Sequence, residues 1–385
     1  MEALNLPRPK WMTEELVLLE EQSRRFIASE YVPHLERWHE KGMYEREVWT
    51  KAGEAGLLCA AMPEEYGGAG GNFGHEAVIN RELSLAGFDT FGAPLHSGIV
   101  APYILHYGTE EQKKRWLPKL ATGELVGAIA MTEPGTGSDL QGVRTSAKKS
   151  GNGYLLNGSK TFITNGQHAN LIIVVAKTDA AAGAKGVSLM VVEADKAQGF
   201  RRGRKLKKLG QDSADTSELF FEDVQLPADA LLGTEEGQGF YQLMKELPQE
   251  RLIVALHAVA MMERAVALAV DYVKQRKAFG KTIIEFQNTQ FVLAECKTEA
   301  TIAKVFLDYC IEQHIAGQLD TVTASMAKYR LSDTCGEVID RCLQLFGGYG
   351  YMDEYPISRL YRDARVLRIY AGTNEIMKLL ISRSL

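Results

Sequence analysis

The thirteen residues from Ala130 to Gly142, AMTEPGTGSDLQG, combine a Thr-Glu pair, a Pro, three glycines and a Ser-Asp pair. Pro134 and Gly135 impose a turn, Gly137 lets backbone approach a partner closely, and Thr132 and Ser138 flank the turn with hydroxyls. Two readings fit: a loop that receives a polar, flat or phosphorylated partner, or a tight turn capped by Ser138 and Asp139. The other glycine clusters do not follow phosphate motifs. None fits GxGxxG after a strand, and Gln275 stands where Gly280-Lys281-Thr282 would need the first P-loop glycine. The eight histidines form no metal-ligand cluster in the sequence, so no metal is expected. Glu250 is a further acid of interest. Placed just after Pro248, it reads as a helix-start carboxylate favoured by the helix dipole.

The elements that must position these residues fall in three blocks. From Thr13 to about residue 121, apolar residues recur three and four apart, as in helices. A glycine-rich loop at 62–74 interrupts them, Thr109 is a candidate N-cap, and Pro118 is expected to break its helix. Short runs rich in Val, Ile, Leu and Phe follow: GYLLNGSKTFITNG, NLIIVVAKT, GVSLMVVEA and SELFFEDVQL, which predict strands. Helical periodicity resumes near Gly237 and continues almost to Leu385. The expected domains are residues 1–125 (α-helical), 126–235 (β) and 236–385 (a helical bundle), an α+β multidomain chain.

Composition narrows the class. The 385 residues carry a net charge of −5, which argues against a general nucleic-acid binder. One stretch departs from that balance. RRGRKLKK, residues 201–208, holds six basic side chains and reads as a solvated basic loop or, less simply, an anion site. The five cysteines lack CxxC spacing and read as buried, reduced thiols. Acidic residues occupy the N-terminal region where a signal peptide needs an apolar core, and no stretch reads as a charge-free membrane span. A cytoplasmic protein without membrane insertion is expected.

The segments AMTEPGTGSDLQG, KTFITNG, RKAFGKT, QLFGGYGYMDEYPISRLYRDAR and IYAGTNEIMKLLISR occur in this order. Together they resemble the acyl-CoA dehydrogenase family from end to end. HSGIV (96–100), KELPQERL (245–252), TASMAKY (323–329) and YAGTNEIMK (370–378) are most similar to its long-chain branch, with the isovaleryl branch second. The resemblance implies the family fold: an N-terminal α-helical domain, a middle β-barrel or sandwich domain and a C-terminal four-helix bundle. It also implies FAD as cofactor, a homotetramer built as a dimer of dimers, and electron transfer flavoprotein as acceptor.

Matched position by position, the resemblance assigns flavin contacts to Ile129, Met131, Thr132, Gly137 and Ser138, and to Phe162 and Thr164 in KTFITNG. Phe162 stands where many relatives have Trp, which keeps an aromatic face; by its own pattern it is an inward strand residue. Arg276, with Phe279 beside it, would meet the flavin diphosphate across the dimer interface, where a planar cation suits phosphate oxygens. Gln287, Gln344, Gly347 and Gly348 would reach the adenosine half. Thr373, Asn374 and Glu375 would close the site at a helix N-terminus, a place that Thr373 also suits as a simple cap. The acyl-CoA would be met by Ser138, Tyr241, Arg251, Ala371 and Gly372.

The family forms trans-2-enoyl-CoA by removing the α-proton of a thioester while the β-hydride goes to flavin N5. Most members carry the base as Glu in a terminal Tyr-Glu-Gly-Thr. This chain reads Tyr370-Ala371-Gly372-Thr373, and a methyl group takes no proton. In the long-chain and isovaleryl branches the base is a Glu immediately before an Arg, which falls on Glu250. The small Ser97 and Gly98, with Ala371, suggest a deep pocket for medium, long or methyl-branched acyl chains, including isoprenoid ones such as citronellyl-CoA, in fatty or branched acyl catabolism of the β-oxidation type. The alternatives are a short branched-chain dehydrogenase of isovaleryl type and a non-catalytic flavin-binding or interaction protein.

Overall fold

The computed structural model describes residues 4–385; residues 1–3, at the start of the first expected block, lie outside the described residues. The N-terminal block holds α1 (Glu14–Glu30), α2 (Leu35–Lys41), α3 (Glu47–Glu54), α4 (Phe73–Ala86), the turn α5 (Ala93–Leu95), a π turn (His96–Val100), α6 (Ala101–Tyr107) and α7 (Glu110–Ala121). Thr109 caps α7: its hydroxyl accepts the Gln112 amide (3.3 Å) while the Gln112 side chain accepts the Thr109 amide (2.9 Å). Pro118 does not break the helix. It sits inside α7, which continues to Ala121, because buried Trp116, Leu117 and Leu120 anchor the last turns and outweigh one missing amide.

Seven strands make a curled middle sheet: β1 (Gly127–Ala130), β2 (Ser146–Ser150), β3 (Gly153–Ile163), β4 (Leu171–Lys177), β5 (Val187–Glu193), β6 (Phe200–Lys205) and β7 (Ser217–Leu226). The order is β1-β4-β2-β3-β7-β6, with β5 also paired to β4. β4 shows why its sequence is continuously apolar. Leu171, Ile173 and Val175 join the core shared with the N-terminal helices, while Ile172, Val174 and Ala176 point into the core enclosed by the sheet. A strand whose alternate residues face opposite ways must be apolar on both when both faces are covered.

The short β1, β2 and β6 were not among the expected strands, and β6 corrects a reading. Part of the basic run is not a solvated loop but an edge strand paired to β7, with the Arg201 guanidinium 4.4 Å over the Phe220 ring and the Lys205 and Lys208 ammonium groups donating to backbone carbonyls. Guanidinium stems cover apolar strand surface while the charges stay hydrated, so a basic segment can still pair as a strand.

The last block is α8 (Gly239–Gln275), a two-stranded ribbon of β8 (Lys277–Ala278) and β9 (Lys281–Thr282), α9 (Gln287–Ile315), α10 (Thr321–Gln344), α11 (Pro356–Ala364) and α12 (Asn374–Ser382). Helix α8 is buried on all sides from Leu252 through Leu256 and again over Ala258–Glu263, the pattern of a central helix. Among the described residues it is the one helix long and apolar enough to cross a membrane, and 72% of its most apolar stretch is buried inside the protein. Cys296, Cys310, Cys335 and Cys342 lie in the bundle core and Cys59 in the N-terminal core, all unbridged.

Candidate active site

Glu133 organises the glycine-rich run, rather than Ser138 or Asp139. One carboxylate oxygen accepts the Thr145 amide (2.9 Å) and the other the Arg144 amide (2.7 Å). The Lys160 ammonium, on β3, donates to Glu133 (2.8 Å) and to the Met131 carbonyl (2.9 Å), and the Thr161 amide donates to the Thr132 carbonyl (2.9 Å). These bonds tie Met131 and Thr132 to the KTFITNG segment. Burial pushes Lys160 down to about 8 against the pull of Glu133. Burial opposes ionisation of Glu133 too, but Lys160 and the two amides outweigh it and hold the carboxyl low. Neither residue had an assigned role. An acid inside a Pro-Gly turn was the available signal, since such a loop needs a buried acceptor for its free amides.

Phe162 is not an inward strand residue. A bulge between Lys160 and Ile163 turns it out, at φ +60° and 67% exposed. A large aromatic at left-handed φ and open to solvent is a strained arrangement, and strain of this kind collects where a ligand uses it. Asn165, also at positive φ, is buried and donates to the carbonyls of Gly92 (3.2 Å) and Gly127 (3.0 Å), which fixes the segment against β1 and the helical block. Ile129 is buried in β1, Thr164 is half-buried, and Gly137 and Ser138 are exposed. A side chain at Gly135 or Gly137 would meet nothing within 4 Å, so this face is open.

Glu250 is placed differently from the sequence reading. Pro248 lies inside α8, so Glu250 is not at a helix start but well within the helix, and it is 5% exposed. Its Oε1 accepts the Tyr103 hydroxyl at 2.9 Å. Burial pushes its carboxyl up to about 7; the Tyr103 bond and Arg251 pull down and Glu246 pushes up. One turn earlier on α8, Glu246 accepts from the Tyr107 hydroxyl (2.7 Å) and lies 2.9 Å from His106 Nδ1. Tyr241, 66% exposed, lines an open cleft of about 640 Å³ together with His106, Tyr107 and Lys245. Glu250 does not line that cleft.

Helix α10 links Glu250 to the terminal motif. Arg251 donates to the Ser325 hydroxyl at 3.3 Å, and one turn on, the fully buried Lys328 donates to the Gly372 carbonyl (2.7 Å) and Asn374 Oδ1 (2.8 Å). Burial pushes Lys328 down to about 8. It holds a tight turn in which Ala371 (φ +52°) and Gly372 (φ +87°) are both left-handed. Thr373 caps α12, accepting the Ile376 amide at 3.4 Å, and Glu375 is exposed beside it. Lys328 lies within the TASMAKY motif without a role assigned to it; nothing in its spacing marks it as a buried cation.

The structure does not bring the remaining residues to this place. Arg276 directly follows α8, and about 40 Å of helix separates it from Glu250. Its guanidinium lies 5.3 Å over Tyr349. Phe279, 95% exposed at φ +53°, and the exposed Gln287, Gln344, Gly347 and Gly348 belong to that distant end. One chain therefore carries two separated half-sets: one around β1, β3, α8 and α12, the other beyond the end of α8.

Three family models match the chain in order: the acyl-CoA dehydrogenase N-terminal domain over residues 13–124, the middle domain over 128–224 and the C-terminal domain over 237–385. The chain belongs to the acyl-CoA dehydrogenase family. It is 51% identical to the mitochondrial long-chain specific acyl-CoA dehydrogenase of Mus musculus over 370 residues, which is 96% of this chain and 86% of that one. A crystal structure of an acyl-CoA dehydrogenase from Geobacillus kaustophilus superposes with a TM-score of 0.95 at 50% identity, covering 98% of this chain and 99% of the other. A glutaryl-CoA dehydrogenase from Mycobacterium smegmatis in complex with FADH2 superposes at 0.90 and 28% identity, over 97% and 95% of the two chains. As an acyl-CoA dehydrogenase, the chain is an oxidoreductase acting on a CH–CH bond, and its helical ends and curled middle sheet are those of the family.

Proposed function

We propose that the protein is an FAD-dependent acyl-CoA dehydrogenase in which Glu250 removes the α-proton of the thioester. The observation that carries this is the Glu250 carboxyl, dry, held by Tyr103 and pushed to about 7, in a chain whose terminal motif has Ala371 where a base would otherwise stand. An α-proton of a thioester is too weak an acid for a hydrated carboxylate. Desolvation raises the basicity, and a value near neutrality leaves a useful fraction ionised.

The residues present fit a flavin. Phe162 offers an exposed aromatic face in a strained backbone, the Gly135 and Gly137 backbone is uncovered, and Thr373 opens α12 at a helix N-terminus, an end that favours negative oxygens. FAD, when bound, supplies the two-electron acceptor for the β-hydride. Ile129, Met131, Thr132, Gly137, Ser138, Phe162, Thr164, Thr373 and Glu375 would hold it from one chain. The distance along α8 supports a homotetramer in which Arg276, Phe279, Gln287, Gln344, Gly347 and Gly348 serve a neighbouring copy's site. The Ala371 amide, in a turn braced by Lys328, would donate to the thioester carbonyl as negative charge develops there. Ser138, Tyr241, Arg251 and Gly372 complete the acyl-CoA contacts. Medium, long or methyl-branched acyl chains, isoprenoid ones included, are the substrate class, with electron transfer flavoprotein as acceptor and the cytoplasm as location.

Anaerobic titration with linear and branched acyl-CoAs tests this reading. The protein should be yellow and bleach with medium, long or methyl-branched thioesters. Preference for isovaleryl-CoA would move it to the short branched-chain class, and a colourless protein would refute the flavin assignment. Glu250→Gln should keep its colour and lose bleaching by a factor on the order of 10²–10⁴; near-normal bleaching in that variant would remove Glu250 from the role.

A further inference from the structure

Helices α6 and α8 meet the proposed base with two matched clasps. Tyr103 and Tyr107 are four residues apart on α6, Glu250 and Glu246 four apart on α8, and the pairs join crosswise, Tyr103 to Glu250 at 2.9 Å and Tyr107 to Glu246 at 2.7 Å. Side chains four apart share a helix face, so two antiparallel helices can pair two such sets at once. Tyr103 is fully buried and Glu246 nearly so, and His106, half-exposed, adds a second contact to Glu246. No protein donor reaches Glu250 Oε2 among the described residues, so the phenol occupies one oxygen and leaves the other free.

We infer that Tyr103 is a positioning residue for the base, holding Oε1 of Glu250 so that Oε2 faces the α-proton, while Tyr107 and His106 hold Glu246 away from that role. The inference rests on the reading of Glu250 given above. The groups that face this carboxylate act in opposite senses. From α6, the Tyr103 hydroxyl stabilises the ionised form; from α8, the Arg251 cation does the same and the Glu246 carboxylate opposes it. From α10, Ser325 and Lys328 act at one remove, through Arg251. From α9, His314 is spent on Gln249 at 2.7 Å, and Gln249 in turn donates to the Gly98 carbonyl at 2.6 Å.

The signs follow. A base works when ionised, so the rate falls on the acid side of its pKa. Tyr103→Phe keeps the ring and deletes the donor; it raises the pKa of Glu250 and moves the acid limb to higher pH, by roughly one unit. Glu246→Gln deletes the like charge and moves the limb to lower pH. A tyrosine that only fills space would alter thermal stability or FAD content and leave the limb in place.

The experiment is stopped-flow anaerobic bleaching of the FAD-loaded enzyme by dodecanoyl-CoA as a function of pH, in the parent, Tyr103→Phe, Glu246→Gln and Glu250→Gln proteins. Opposite displacements of the limb in the first two variants, with bleaching slowed by a factor on the order of 10²–10⁴ in the third, establish the inference. Unmoved limbs, or limbs that move the same way, overturn it even when Glu250→Gln is dead. Near-normal bleaching by Glu250→Gln overturns the reading of the base and the inference with it. Should Tyr103→Phe fail to fold, an unmoved limb in Glu246→Gln overturns the clasp by itself.

Discussion

Lys160 Nζ stands 2.8 Å from Glu133 Oε1, with the lysine side chain fully buried and the glutamate 7% exposed. This ion pair pins the loop after β1 to β3, and both segments carry proposed flavin contacts. Removing one member of a buried pair strands the other charge without water, which costs about 3–5 kcal/mol. Lys160→Met should lose stability of that order in urea unfolding, together with its FAD. A loss below about 1 kcal/mol would mean that the pair behaves like one on the surface. The double variant Lys160→Met/Glu133→Gln should lose less than the two single variants added together, because neither charge is then stranded.

Glu76 makes the pH dependence of stability testable. It is 2% exposed, accepts the Ala61 amide at 3.3 Å, and burial pushes its carboxyl up to about 7 while the Ala61 and Ala60 amides pull the other way. A carboxyl with a raised folded pKa favours folding most below its unfolded pKa, and that advantage is lost as pH rises through the folded value. The loss comes to roughly 3 kcal/mol at most. Glu76→Gln stays neutral, so its stability relative to the parent should improve between pH 5 and pH 8. Parallel curves for the two proteins across that interval would show that Glu76 does not titrate there.

Gly98 packs closely on α8: a Cβ at Gly98 would lie 2.7 Å from Ile253 Cδ1, three residues beyond Glu250. Gly98→Ala should cost about 1–3 kcal/mol by overpacking and should lower turnover by displacing α8 near the base. Ile253→Val removes the offending methyl and should restore most of both. If thermal unfolding and turnover of Gly98→Ala match the parent, the two helices are less tightly fitted than the distance implies.

Ala371 offers a second place for a base. Through α10, Ser325 bonds Arg251 beside Glu250 and Lys328 bonds Gly372 beside Ala371, so the two positions share one neighbourhood. Ala371 already holds a left-handed backbone, so a glutamate there adds little new strain. In the Glu250→Gln background, Ala371→Glu should recover part of the lost bleaching. Complete absence of recovery in a folded, yellow double variant would mean that the two positions do not reach the same carbon.

The layout of the chain was legible because helix, strand and helix leave different periodicities. The strands β3, β4, β5 and β7 came from runs of Val, Ile, Leu and Phe long enough to register. β1 and β2 are short, and β6 is masked by its basic residues, of which Arg201 lays its guanidinium over the Phe220 ring of the neighbouring strand. The site was legible only in part. The motifs named Phe162, but its exposed, left-handed setting depends on a bulge, which a local pattern does not show. Lys160, Lys328 and Tyr103 carried no signal, since their roles come from partners 27, 44 and 147 residues away.

By itself the sequence determined the family, the order of its three parts and the absence of an acid at Ala371, because these are properties of residue types in linear order. The tertiary structure decided the character of Glu250. Its place inside α8, the loss of water around it, the phenol of Tyr103 and the neighbouring Glu246 set its proton affinity, and each depends on helices that are distant in the chain and adjacent in space. It also decided which proposed cofactor residues one chain can gather. A continuous helix is rigid, and α8 keeps Arg276 about 40 Å from Glu250 however closely the motifs match.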